Sequence, residues 1–309
     1  MRIAVTGASG YIGLALLRWL DGQGYDVVAL TRHRTPISGT RANWLVRPDG
    51  RPDVADLNGC EAVVHLAGRA HTRLAIQDGV DLFDQANREL ACATAAVTKA
   101  AGVPRFVQVS TLGVHGSWSA QPISEASALS GDTPYAKSKI AAERELTALL
   151  SDGGTQLTIV RPPMVYGAAC PGNFPRLIKL VKSGIPLPFA SIRGVRSFIH
   201  VDNLASFLAF CAITPAVQGV FVAGDGSDYE LPELIRAIAA GTGTRARLLR
   251  FPPFLLRVTA KMTGRQREID SLTRPMPVDW SKARAAGWTP AIAPASALAQ
   301  VLTSPTPAV

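Results

Sequence analysis

Arg2-Ile-Ala-Val-Thr-Gly7-Ala-Ser-Gly10-Tyr-Ile-Gly13 is the stretch whose reading decides the fold. Arg2 to Thr6 is short, apolar and β-rich. Gly7, Gly10 and Gly13 follow at regular intervals, and a helical pattern, Leu14 to Leu20, runs on to Gly22 and Gly24. Strand, glycine loop and helix in direct succession form the context in which a glycine motif carries meaning. Gly7 permits a tight turn, Gly10 lets a diphosphate approach the backbone, and Gly13 lets helix and strand pack closely. The helix then turns its N-terminal amides toward the phosphates. The spacing is G-x-x-G-x-x-G, not G-x-G-x-x-G.

Outward from this unit, β-like runs alternate with helical ones. Strands are expected over Asp26–Leu30, Arg41–Arg47, Glu61–Leu66, Pro104–Val109, Thr155–Val160 and Gly219–Ala223. A long amphipathic helix is expected over Leu82–Ala101, and another from Ala136 to Leu150. Such alternation predicts an α/β fold with a parallel sheet covered on both faces. Arg161 to Gly167 reads as a stiff turn that ends the alternation. Beyond it lie a helix over Asn173–Ser183, a proline-bearing loop or edge strand over Ile185–Phe189, and a segment from Arg196 leading into a helix that ends near Ile213. Further helices are expected over Leu231–Ala240, Phe254–Thr263, Ser281–Ala286 and Ala295–Leu302.

Two features point to chemistry. NAD-binding units close their second strand with an acid that bonds the ribose 2′-hydroxyl, whereas this chain has Thr31-Arg32-His33-Arg34. Arginines there would pair with a 2′-phosphate, so NADP(H) is expected in preference to NAD(H); the alternative is that Arg32 and Arg34 are ordinary loop charges. Tyr135 and Lys139, four residues apart, share one helical face. A nearby cation lowers a phenol's pKa from about 10, and a tyrosine so tuned can exchange a proton with a carbonyl or alcohol oxygen. Y-x-x-x-K alone also arises on solvated helix faces. Its weight here comes from Thr111, at the C-terminal end of the fifth strand, where ligands sit in an open α/β sheet.

The formal charge is +9, from basic residues that are scattered along the chain. That argues against a nucleic-acid-binding arm and leaves a basic cleft or a plain basic surface. Cys60, Cys92, Cys170 and Cys211 are far apart and suggest neither a disulfide frame nor a metal site. The first residues read as a strand, not a signal peptide, and no apolar run is long enough to span a bilayer, so a cytoplasmic location is expected.

Several motifs stand in one order: Thr6-Gly7-x-x-Gly10-x-x-Gly13, His65-Leu-Ala-Gly68, Asn87, Val109-Ser110-Thr111, Tyr135-x-x-x-Lys139, Arg161-Pro162 and Arg196-x-Phe-Ile-His-Val-Asp202. The set closely resembles the extended short-chain dehydrogenase/reductase family from Met1 to about Gln300. The resemblance implies a Rossmann doubly wound parallel sheet with a smaller, interleaved C-terminal substrate lobe. The dinucleotide-binding domain would take residues 1–165 and 200–224, and the nucleotide-sugar lobe residues 166–199 and 225–309. It implies Tyr135 as acid/base, Lys139 as the residue that lowers its pKa and holds the nicotinamide ribose, Thr111 as the group polarising the substrate oxygen, and Asn87, near the active site, as the fourth member of the catalytic set. Cofactor contacts would come from Gly7, Ser9, Gly10, Tyr11, Ile12 and Gly13, from Arg32 and Arg34, from Asp56 and Leu57, from Leu66, Ala67 and Gly68, from Tyr135 and Lys139, and from Pro162 and Val165. A UDP moiety would meet Asn173, Phe174, Leu187 and Arg196, with Arg267 or Asp270 adding diphosphate or ribose contacts. A homodimer is usual in the family.

A narrower similarity, over Asn173 to Arg193, is to bacterial UDP-4-keto-6-deoxy-N-acetylglucosamine 4-reductases, which act in surface polysaccharide precursor synthesis. Two departures weaken the rival reading as a UDP-hexose 4-epimerase with tightly held NAD: His115 replaces a common tyrosine, and arginines replace the acid after the second strand. A non-catalytic NADP(H)-binding protein is the remaining alternative.

Overall fold

The computed structural model describes residues 1–33, 39–70, 76–77, 80–262, 264 and 266–303. Their order is β1 (Arg2–Thr6), α1 (Tyr11–Gly22), β2 (Asp26–Thr31), β3 (Asn43–Val46), β4 (Ala62–His65), a small hairpin β5 (Ile76–Gln77) and β6 (Val80–Asp81), α2 (Leu82–Asp84), α3 (Leu90–Ala100), β7 (Arg105–Val109), α4 (Pro134–Leu149), β8 (Gln156–Arg161), β9 (Met164–Tyr166), α5 (Asn173–Lys182), β10 (Val195–His200), α6 (Val201–Ile213), β11 (Gly219–Val222), β12 (Ser227–Glu230), α7 (Leu231–Gly241), α8 (Pro253–Met262), α9 (Gln266–Thr273), α10 (Ser281–Ala285) and α11 (Pro294–Thr303).

Seven of these strands form one parallel sheet in the order β11-β8-β7-β4-β1-β2-β3. The connection order reverses between β1 and β4, which opens a crevice at their carboxyl ends. Thr6, the last residue of β1, stands level with Leu30 of β2 and His65 of β4. Strand periodicity sorts the core: Ile3 and Val5 face α1 and α6, while Ala4 faces the side covered by α3 and α4. A second sheet, β12-β10-β9, is shared with α5, α7 and α11 and has its own core around Tyr166, Phe174, Phe198 and Ile235.

Two expectations change. The Arg161–Gly167 segment is not simply a turn: after Pro162 and Pro163 the chain resumes as β9 and pairs with β10. Prolines barred it from the large sheet but not from a new one. The expected Leu82–Ala101 helix is interrupted, with α2 and α3 joined by a π turn over Gln85–Glu89. Helix α9 and strand β12 were absent from the sequence-based expectation.

Candidate active site

The glycine loop closes over the end of β4. Gly7 has φ +65°, and a Cβ there would stand 2.7 Å from the Ala67 nitrogen, so no larger residue fits. Gly10 caps α1 without a side chain. The first-turn amides of Tyr11, Ile12 and Gly13 therefore have no side-chain acceptor from the cap and face the crevice, as a diphosphate requires. Ser9 and Thr31 hydrogen-bond through their hydroxyls at 3.0 Å, tying the loop to β2. Arg32 follows, exposed, with its aliphatic stem near Gly50; Arg34 lies outside the described residues. The residues present thus fit a dinucleotide, and no carboxylate closes β2.

Further along the crevice, Gly68 lies against Asn87 and Lys139: a Cβ on it would come within 2.7 Å of Asn87 Oδ1 and 3.4 Å of Lys139 Nζ. Asn87, wholly buried in the π turn, accepts from the Arg69 amide (2.9 Å) and donates to Arg69 O and Ser138 Oγ (both 3.0 Å). It braces the β4 loop against α4 and has no donor left for a reacting atom. π turns recur where a helix must aim one side chain aside.

Thr133 caps α4 and Pro134 opens it, which sets Tyr135 in its first turn. Burial pushes the Tyr135 phenol up, and the neighbouring Thr111 hydroxyl offsets this only in part. This corrects the expectation that Lys139 lowers it. The Lys139 ammonium is turned to the Val109 carbonyl, 3.0 Å away, and burial draws its own pKa down to about 8. Tyr135 is thus a protonated donor at neutral pH, and Lys139 is a cation that loses its charge just above it.

A polar cluster beneath these groups was missed. Arg161, at the end of β8, forks onto Glu143 with bonds of 3.1 and 2.6 Å, and Ser110 donates to the same carboxylate at 2.5 Å. Arg161 also reaches His115 Nε2 at 3.2 Å, while His115 Nδ1 meets Ala128 O at 3.0 Å. A carbonyl can only accept, so Nδ1 carries the proton and Nε2 accepts from Arg161. Burial, the main influence, lowers the His115 pKa, in keeping with this neutral form. The tyrosine-to-histidine departure therefore gives Arg161 a third hydrogen bond. The available signal was spacing: Tyr135, Lys139 and Glu143 lie at successive intervals of four on α4.

The remaining predicted cofactor residues divide. Tyr11 packs against both cores, and its hydroxyl is buried without a hydrogen-bond partner among the described residues, beside Gly167. Ile12, Leu66 and Val165 border the first core, and Ala67 is half-buried between Leu66 and the exposed Gly68. Both carboxylate oxygens of Asp56 are bound by Arg47, and one also accepts the Asp53 amide at 2.9 Å. Leu57 is wholly buried, leaving only its backbone for a ligand, and Pro162 is buried with its carbonyl accepting from Leu112 at 2.8 Å.

Beside the second sheet, Asn173, Phe174 and Arg196 line one cavity with Met164, Tyr229 and Leu272. Arg196 donates to Arg274 O at 2.7 Å and approaches Met276 Sδ at 3.4 Å, and it has no carboxylate partner among the described residues. Burial lowers its pKa to about 10, so it stays charged at neutral pH. Leu187 does not line this cavity; it packs in the core below. Asp270 pairs with Arg274 at 3.2 Å. Arg267 belongs to α9, and its side chain lies outside the described residues.

A seven-stranded parallel sheet, a glycine loop at its switch point and a Thr-Tyr-Lys set beside that loop define an enzyme of the extended short-chain dehydrogenase/reductase class. Residues 3–224 match the NAD dependent epimerase/dehydratase family, and the chain belongs to that family. It is similar to a UDP-glucose 4-epimerase of Vibrio cholerae, with 29% identity over 93% of this chain and 90% of the relative. It is also similar to a ceramide reductase of Caulobacter vibrioides, with 31% identity over 94% and 87%. The solved structure of a Bacillus cereus UDP-glucuronic acid 4-epimerase with NAD shares the fold, with a TM-score of 0.77, 19% identity and coverage of 98% and 97%.

Proposed function

We propose that the protein is an NADPH-dependent reductase acting on the C4 ketone of a UDP-linked 6-deoxy amino sugar, in cytoplasmic synthesis of surface polysaccharide precursors. The observation that carries this reading is the placing of Tyr135 and Lys139 on one helix beside Thr111, with Lys139 against Gly68 at the mouth of the crevice. A phenol that holds its proton at neutral pH suits reduction, in which an alkoxide must be protonated as it forms.

When bound, NADPH would supply the hydride. Tyr135 gives its proton to the ketone oxygen. Thr111 donates to the same oxygen and stabilises the charge that develops there. Lys139 holds the nicotinamide ribose, and Asn87 fixes the loop beneath it. The Gly7–Gly13 loop receives the diphosphate and Arg32 the 2′-phosphate. Arg196, with Asn173 and Phe174, binds the UDP end as a remote handle that positions the sugar. Supporting this last role is the Arg196 charge, compensated among the described residues only by a carbonyl and a thioether; a diphosphate is a suitable third partner. Separate dinucleotide and nucleotide-sugar domains, with the limits given above, and a homodimer through the Asn87 and Tyr135 helices belong to the same proposal.

UDP-hexose 4-epimerisation is the second reading, favoured by the Vibrio cholerae relative and by the same Thr-Tyr-Lys set. Stoichiometry separates the two. Incubation with a panel of UDP-4-keto-sugars and UDP-hexoses, followed by NADPH absorbance and product NMR, should show one NADPH consumed per ketone reduced. Interconversion of hexoses with no net NADPH consumption would overturn the reductase in favour of the epimerase.

A further inference from the structure

We propose that α8 is a membrane-contacting element that seats the protein on an anionic lipid surface. The helix is apolar on two sides. Leu256 is buried in the smaller lobe's core. Phe254, Val258 and Met262 recur every four residues and so form one stripe along the helix. That stripe faces water: Phe254 is 64% exposed, Val258 50% and Met262 82%, and Leu249, shortly before the helix, is 54% exposed. Single exposed apolar side chains are common, but a row of large ones marks a contact surface.

The surrounding charge identifies the partner. Between Glu233 and Glu268 the sequence holds eight basic residues and no acidic one. Of these, Arg245, Arg247, Arg250 and Lys261 are exposed. Lys261 is seven residues beyond Phe254, hence on the same side of the helix, at the border of the stripe. An apolar stripe with a cationic border is the composition of a helix lying in a bilayer interface. Each basic residue near an anionic surface strengthens binding roughly fivefold. A second copy of this chain is a poor occupant, because a two-fold contact would set this positive segment against itself. Nucleic acid would use the cations and leave the apolar stripe without a role. No helix among the described residues is long and apolar enough to cross a membrane, so the contact is peripheral. α8 packs on α9, whose Leu272 lines the cavity that holds Arg196; docking would bring that cavity within one helix of the lipid. The inference is independent of the reduction chemistry proposed above.

The test is co-sedimentation of the full chain with vesicles of phosphatidylcholine, alone or mixed with phosphatidylglycerol. Partitioning should be at least about tenfold stronger on the mixed vesicles and should weaken with salt. Phe254→Ser with Met262→Ser should lower it about tenfold or more, and Arg250→Ala with Lys261→Ala severalfold, with melting temperature and dinucleotide binding unchanged. Absence of binding to the anionic vesicles overturns the proposal. So does binding that survives the apolar double substitution, a dimer that this substitution disperses in light scattering, or retention on RNA by protein that ignores the vesicles.

Discussion

The two ligand-facing regions are built on opposite principles. The crevice over the large sheet is finished before any ligand arrives. Its glycine loop is fixed by backbone contact with Ala67, Asn87 has spent both its donors, and Arg161, Glu143, Ser110 and His115 satisfy one another. The cavity beside the second sheet is walled by apolar side chains around a guanidinium whose partners among the described residues are all uncharged. The first arrangement holds reacting groups still, which catalysis demands. The second leaves an electrostatic demand for an incoming anion to meet. Chemistry and recognition should therefore be separable by mutation.

The sharpest separation is expected from Tyr135→Phe. Removing the proton donor should lower turnover by about a thousandfold or more, while dinucleotide affinity, measured by calorimetry, stays within a few-fold. Near-normal turnover would falsify the acid role. Glu143→Gln attacks the rigidity of the crevice. It strands a buried guanidinium and should cost about 3–5 kcal/mol of stability, read from urea unfolding; a loss below about 1 kcal/mol would mean the cluster is not the brace described. Arg196→Met should raise KM for the nucleotide sugar about 10- to 100-fold with kcat little changed, because the handle is remote from the reacting atoms. An equal fall in kcat would erase the distinction between the two regions.

A pH profile probes the crevice more gently. The Lys139 pKa is lowered, to about 8, so its charge is present below that pH and lost above it. Reduction measured as kcat/KM should fall about tenfold per unit as pH rises past 8, and Lys139→Arg, which stays charged, should move that fall upward. A flat profile to pH 9.5 would refute the assignment. The smallest effect is expected from Arg32→Ala, which should narrow the preference for NADPH over NADH by roughly fivefold. A wild-type preference for NADH would reverse the 2′-phosphate reading.

Legibility followed the same divide. Glycines, strand ends and the α4 spacing have local causes, so the crevice could be read from Gly7, Gly13, Thr111, Tyr135 and Lys139 directly. Strand β9 was hidden because Pro162 and Pro163 dominate its beginning, and only its pairing with β10 makes it a strand. The π turn was hidden because hydrophobic spacing there still resembles a helix. The direction of the Tyr135 shift could not be read from Tyr135-x-x-x-Lys139, since desolvation depends on what covers the ring and on where the ammonium turns; here it turns to the Val109 carbonyl. Leu187 illustrates the limit of positional transfer: the sequence match was sound, yet the side chain points into the core.

The π turn at Asn87 has a consequence for insertions and deletions. Five residues occupy Gln85–Glu89 where an ordinary turn would need four. Excising one of them, such as Gln85, would restore a regular helix, leave the flanking turns near their register and reorient the residues of the bulge itself. Asn87 would swing off Ser138 and release the loop at Arg69, although every named catalytic side chain would still be present. A single codon of length, not of identity, thus separates a braced crevice from a slack one.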